Sequence, residues 1–227
     1  GGRLLWIDSK TLEREEGGLL SQEGLITGAD GGSVTGVGVT ARFDRRDNNF
    51  NPSTGPFIET SVTTAQQGFG SDFSYTRWDF DFRHYLRLFR RHLLAFQLFT
   101  VYNWGDPPFE QLALLGGDEV MRGHYTGRFR DKMFWAVQTE YRLPVGRREW
   151  FGDGESLTFW DRWGLVGFAG VGTVAPTLRD FAGSSLKYSL GFGIRYLLLP
   201  EERVNVRIDF GFGTQTPGFY LNVREAF

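Results

Sequence analysis

Apolar and polar residues alternate with period two along most of the chain. The sharpest run is 74–89, SYTRWDFDFRHYLRLF. There Trp78, Phe80, Phe82, Leu86 and Leu88 alternate with Arg77, Asp79, Asp81, Arg83 and Arg87. Successive side chains of a strand point to opposite faces, so this pattern predicts a β-strand with one greasy and one charged side. The same grammar recurs. At about 34–45, Val37, Val39, Ala41 and Phe43 oppose Thr40, Arg42 and Asp44. At about 92–104, Leu94, Phe96, Leu98, Tyr102 and Trp104 share a face. At about 133–143, Met133, Trp135, Val137, Tyr141 and Leu143 oppose Gln138, Glu140 and Arg142. Tyr188, Leu190, Phe192, Ile194 and Tyr196 line one side of 185–199. In 203–214, Val204, Val206, Ile208, Phe210 and Phe212 face away from Asn205, Arg207, Asp209 and Gly211. Weaker strands are predicted at about 57–67, in the Gly-rich 162–174, and at 219–227.

No stretch of useful length has a 3.6-residue period, so the chain is predicted to be all-β. Residues 1–33 read as a polar, Gly-rich segment with a charged cluster at Glu13, Arg14, Glu15 and Glu16; only Leu4, Leu5, Trp6 and Ile7 suggest the tail of a strand. Residues 34–227 read as one domain, in which Pro- and Gly-containing turns such as DNNFNPSTGP and Thr216-Pro217-Gly218 punctuate the strands. Two long loops interrupt them: 105–132, and a polar, Trp-containing one at about 146–160. Loops of this length are uncommon in compact domains and are usually functional.

Two-faced strands fit two architectures. A soluble sandwich buries the aromatic face and wets the charges. A membrane barrel turns the aromatics to lipid and the charges to its lumen. One strand cannot separate these, but strands of about ten residues or more suit a tilted membrane span. Trp78, Tyr102, Trp104, Trp135, Trp163, Tyr188, Tyr196 and Tyr220 lie near strand ends, as interfacial girdles require. The prediction is an antiparallel transmembrane β-barrel.

Composition narrows the chemistry. The net charge of -2 provides no footprint for nucleic acid, and the absence of cysteine excludes disulfide scaffolds and thiolate metal sites. His84, His92 and His124 lack metal-ligand spacing, and no cofactor motif is present. There is no apolar run long enough for a transmembrane helix, and GGRLLWIDSK has no apolar leader core. The chain therefore reads as a mature chain or an internal piece.

Four stretches carry a family resemblance. The first is Phe43-Asp44-Arg45-Arg46-Asp47 followed by Asn51-Pro52-Ser53-Thr54-Gly55-Pro56. The second is Leu115-Gly116-Gly117-Asp118-Glu119-Val120-Met121-Arg122-Gly123-His124. The third is Gln138-Thr139-Glu140-Tyr141-Arg142, and the fourth an amphipathic last strand ending on Phe227. In this order they resemble the C-terminal barrel of the BamA/TamA superfamily of bacterial surface antigens. The match covers about 34–227.

The resemblance implies the C-terminal eight to nine strands of a sixteen-strand-type barrel in the bacterial outer membrane. It also implies that the loop around Gly116, Gly117, Met121 and His124 folds inward. There Arg122 and Gly123 would form a lock with an acidic lumenal partner. A guanidinium suits a buried carboxylate, Gly123 permits a turn that a side chain would block, and Glu140 is the partner expected by alternation. Two alternatives stay open: Arg122 as an exposed loop arginine, and Glu140 paired with Arg142 or with an arginine of a neighbouring strand. The family often places a second acid in an F-x-D-x-G pattern; here Phe168-Ala169-Gly170-Val171-Gly172 puts Gly170 in that place. Phe219, Leu221, Val223 and Phe227 would form an outward-facing assembly signal, with Glu225 on the same face.

By resemblance, the function is insertase or translocase work in outer-membrane protein assembly or transport, through seam opening and bilayer perturbation. It makes and breaks no bond, so no catalytic residue is named. No POTRA domain is present in this stretch. The alternatives are the barrel of a patatin-like lipase fusion, although no G-x-S-x-G elbow occurs, and a passive porin or lipid-handling barrel. The implied partners are outer-membrane lipid, protein clients or a lipoprotein, and either a second copy or a missing N-terminal half to close the barrel.

Overall fold

The structure, a computed structural model, describes residues 1–10, 26–89, 92–145, 158–214 and 217–227. The acidic cluster at 13–16, most of the 146–160 loop and Thr216 fall outside these.

Ten strands form one antiparallel sheet: β1 (Gly2–Lys10), β2 (Gly31–Asp44), β3 (Gly55–Ala65), β4 (Tyr75–Arg87), β5 (Leu93–Gly105), β8 (Met133–Pro144), β9 (Trp163–Ala175), β10 (Lys187–Leu199), β11 (Val204–Phe212) and β12 (Gly218–Val223). Each pairs with its neighbour in sequence, except that β5 pairs with β8 across the long loop. That loop holds its own ribbon, β6 (Ala113–Leu115) on β7 (Phe129–Asp131). Several strands are 13 residues long and β2 has 14, enough for a tilted membrane span.

The two faces of the sheet settle the choice between sandwich and barrel. On the convex face Trp6, Val39, Leu190, Phe192, Phe212, Phe219, Leu221 and Val223 are exposed. On the concave face Gln97, Gln138, Glu140, Arg142, Arg195, Arg207 and Asp209 are buried. A water-soluble protein does the reverse; a barrel wall facing lipid requires this arrangement. The chain is an all-β, antiparallel membrane barrel wall.

The sheet curls until turns far apart in sequence meet at one rim. Asp47, in the β2–β3 turn, accepts from Arg203 in the β10–β11 turn at 2.6 Å. The Asn48 side-chain amide donates to the Glu202 carbonyl at 3.1 Å. Asp47 also accepts from the Ser53 hydroxyl and main-chain N–H and from the Thr54 N–H.

Three expectations are corrected. First, among the described residues the sheet has ten strands rather than eight or nine. The added strand is β1, which runs in register with β2 from Gly2↔Val39 to Lys10↔Gly31, so the start of the supposed 1–33 loop belongs to the sheet. Leu5 and Ile7 pack inward on Val34, Ala65 and Tyr75, while Leu4 and Trp6 face out. With apolar residues on both faces, period two disappears. Second, Tyr220 belongs to no outer girdle, because its hydroxyl bonds the inward loop. Third, β12 stops at Val223. Arg224 has φ +76, and this left-handed residue turns the chain so that Glu225, Ala226 and Phe227 are buried inside. Phe219, Leu221 and Val223 face outward as expected; Glu225 and Phe227 do not.

Candidate functional site: a charged ring between the loop and the sheet

The loop leaves β5 and is pinned at once. The Gln111 carbonyl accepts from Arg77 and from the Asn103 side-chain amide, both at 3.2 Å. The ribbon then lays Ala113 and Leu115, with Met121 beyond it, against Val101, Phe134 and Ala136, all fully buried. This apolar patch is the loop's seat, and burying a side chain such as Leu115 or Met121 contributes about 1.5–3 kcal/mol.

Beyond the seat the chain makes a tight reversal. Gly116 and Gly117 have φ +113 and +138, and the Gly117 N–H donates to the His124 carbonyl at 3.1 Å. Met121, with φ 58, is itself left-handed. Its N–H donates to the Gln138 side chain at 3.2 Å. Gln138 in turn donates to the Glu119 carbonyl and to Gln97, each at 2.7 Å, and Gln97 donates to Asp81 at 2.8 Å. A polar row thus crosses β4, β5 and β8 and ends on the loop.

Gly123 is dictated by space. Its φ is +106, and a Cβ there would lie 2.6 Å from the Phe212 main chain. Its N–H donates to the Tyr220 hydroxyl at 2.9 Å, and that hydroxyl donates to the His124 carbonyl at 3.2 Å. The His124 ring sits edge-on to Phe129, with Nε2 3.0 Å from the Tyr188 carbonyl. The loop tip therefore rests on β10, β11 and β12.

Arg122 lies at the centre and is 1% exposed. One nitrogen pairs with Glu140 on β8; the other donates to Asp209 on β11 at 2.6 Å. Its guanidinium carbon lies 3.7 Å from the centre of the Phe168 ring. The open alternatives close as follows: Arg122 is not exposed, and Glu140 takes both candidate partners, since Arg142 also bonds it at 2.8 Å.

From there the pairs run in a closed ring. Arg142 approaches Glu225 at 3.8 Å, and Glu225 accepts from Arg195 at 2.8 Å. Arg195 donates to Asp209 at 2.5 Å, and Asp209 returns to Arg122. Three arginines alternate with three carboxylates, all nearly inaccessible. Alternation is what makes the burial tolerable, because an unpaired charge in such a place costs several kcal/mol. Arg207 hangs from Asp209 at 3.1 Å and reaches Asp118 of the loop at 3.3 Å, and Asn222 donates to the same Asp118 at 2.7 Å. Each ring carboxylate already accepts from two or more donors, so the arrangement holds parts together.

Sequence reading identified Arg122, Gly123 and Glu140 and missed Asp209, Arg195 and Glu225 as their companions. It took the glycine at position 170 as a missing acid. A Cβ on Gly170 would lie 2.9 Å from the Met121 sulfur, so the space belongs to Met121, and the second carboxylate comes from Asp209 instead.

The model of the Omp85 superfamily domain matches residues 33–224. No curated protein matches the chain in sequence. Among solved structures, the crystal structure of BamA from Haemophilus ducreyi lacking POTRA domains 1–3 is similar, with a TM-score of 0.63 at 13% identity. The similarity covers 85% of this chain and 42% of that one, so the chain spans about two-fifths of the other's length. At that identity the likeness is one of fold.

Proposed function

The chain belongs to the Omp85 superfamily of outer-membrane assembly and translocation barrels, and on that premise we propose that it helps insert or move proteins at the bacterial outer membrane. The working parts are the sheet's outer edges and the loop. β12 is the moving edge: parting it from the first strand of the closed barrel opens a seam, and the apolar convex wall perturbs the bilayer beside it. The loop covers the concave side of β8 to β12 and is locked there by Arg122. The partners are outer-membrane lipid and unfolded barrel clients.

The observation that carries this reading is the burial of a loop guanidinium between carboxylates on β8 and β11, beneath a wall whose outside is apolar. A plug fixed at this cost needs a reason to stay and a means to leave. The test is folding of a small outer-membrane barrel into liposomes with and without the protein. Faster client folding is expected; an unchanged rate overturns the proposal. A large steady conductance in planar bilayers would point to a passive porin instead.

A further inference from the structure

The ring has two poles. Arg122 of the loop occupies one, and Glu225, just past the last strand, occupies the other. Between them run two parallel bridges. Glu140 and Arg142 form the first, and Arg142 also donates to the Phe227 main-chain oxygen at 3.0 Å. Asp209 and Arg195 form the second. Glu225 also accepts from Asn205 at 2.5 Å, and its own N–H reaches the Phe50 carbonyl at 3.4 Å. Phe227 fills an apolar socket of Tyr85, Leu93, Ala95 and Leu197.

We infer that Glu225 is a positioning residue for the loop lock, and that the loop tip and residues 225–227 release together. Among the described residues, Glu225 makes no hydrogen bond or ion pair with the loop. It acts by neutralising and orienting Arg142 and Arg195, the two arginines that hold Glu140 and Asp209 in place for Arg122. Without its charge, both arginines turn toward the remaining two carboxylates and compete with Arg122 for them. Conversely, withdrawal of Arg122 leaves Glu140 and Asp209 to draw Arg142 and Arg195 away from Glu225. Groups sharing one buried network couple in this way, whereas distant, independent sites do not. The inference rests on the proposed lock.

The natural chain has no cysteine, so single spin labels can report each pole. One replaces Tyr125, which is largely exposed on the loop; the other replaces Arg224, which is exposed beside Glu225. The full chain is placed in liposomes, and label mobility is compared in the parent, Arg122→Ala, Glu225→Gln and Phe227→Ala. Arg122→Ala should mobilise the loop label and, through the ring, the 224 label. Glu225→Gln should mobilise the 224 label and also the loop label, the latter by at least half of the Arg122→Ala change. Phe227→Ala keeps every ring charge, and should free the 224 label while moving the loop label far less. A Glu225→Gln variant that mobilises the 224 label but leaves the loop label at parent mobility overturns the inference while leaving the lock intact. A loop label unmoved by Arg122→Ala overturns the lock itself. Should Glu225→Gln fail to fold, Glu225→Asp, which draws the carboxylate back from Arg142 and Arg195, is read in the same way.

Discussion

The two halves of the concave face handle charge differently. From β1 to β5 the ions sit in short ladders open to water. Arg42 meets Glu59, Arg77 meets Asp79 at 2.9 Å, and Arg83 meets Asp81 at 2.5 Å. Every member of those pairs keeps some exposure, 61% for the Arg42 side chain. From β8 to β12 the ions are sealed beneath the loop, with no ring side chain more than 1% exposed. Exposed pairs contribute roughly 0–1 kcal/mol, while breaking a sealed pair costs about 3–5 kcal/mol. The loop decides which kind of pair each half has. The same residue types make a wet lining on one side and a fastener on the other.

That contrast can be broken most sharply at Arg122. Arg122→Ala leaves Glu140 and Asp209 short of a cation and should cost about 3–5 kcal/mol. The expected readout is a folded band that loses its heat resistance on a semi-native gel while membrane insertion persists. An unchanged band counts against the lock. Gly170→Asp tests whether this chain would tolerate the acid that the family resemblance leads one to expect there. The new side chain collides with the Met121 sulfur and should cost about 1–3 kcal/mol as overpacking, lowering the melting point of the folded band. A rise would mean that the second acid is simply missing.

The rim offers a smaller test, through pH. Burial pushes the Asp47 carboxyl up, but bonds from Ser53, Thr54 and Arg203 outweigh it, and the group lies below its ordinary value of 3.8. A lowered carboxyl adds stability that is fully present above its unfolded value and fades as pH falls through the folded one. Heat resistance should therefore drop below about pH 4 in the parent and drop less in Asp47→Asn, which starts lower. Equal acid profiles would remove Asp47 from the account. The smallest effect is expected from Arg42→Ala, within about 1 kcal/mol. A loss as large as that of Arg122→Ala would erase the difference between the halves.

How much of this was legible in the sequence follows from how local each signal is. Period two is local, and it placed nine of the ten main strands and the parity of Glu140, Arg142, Arg207 and Asp209. It failed at β1, where Leu5 and Ile7 face in while Leu4 and Trp6 face out, so neither face is polar. It failed again past Arg224, because alternation assumes an extended backbone and one left-handed residue ends that assumption. The ring was not legible, since Asp209 lies three strands from Glu140 and only sheet curvature and the depth of the loop bring them to one guanidinium. Gly170 misled because a motif position was read as a side chain rather than as room for a neighbour.

The ring also bears on how the protein comes together. Its poles are separated by most of the second half of the chain, and its members arrive on the loop, on β8, β10 and β11, and on the segment after β12. Such long-range pairings form late, because chain closure must precede any reward. The ring can shut only after the final strand has docked. A polypeptide stalled one hairpin short would hold guanidinium groups with too few carboxylates and an unseated plug.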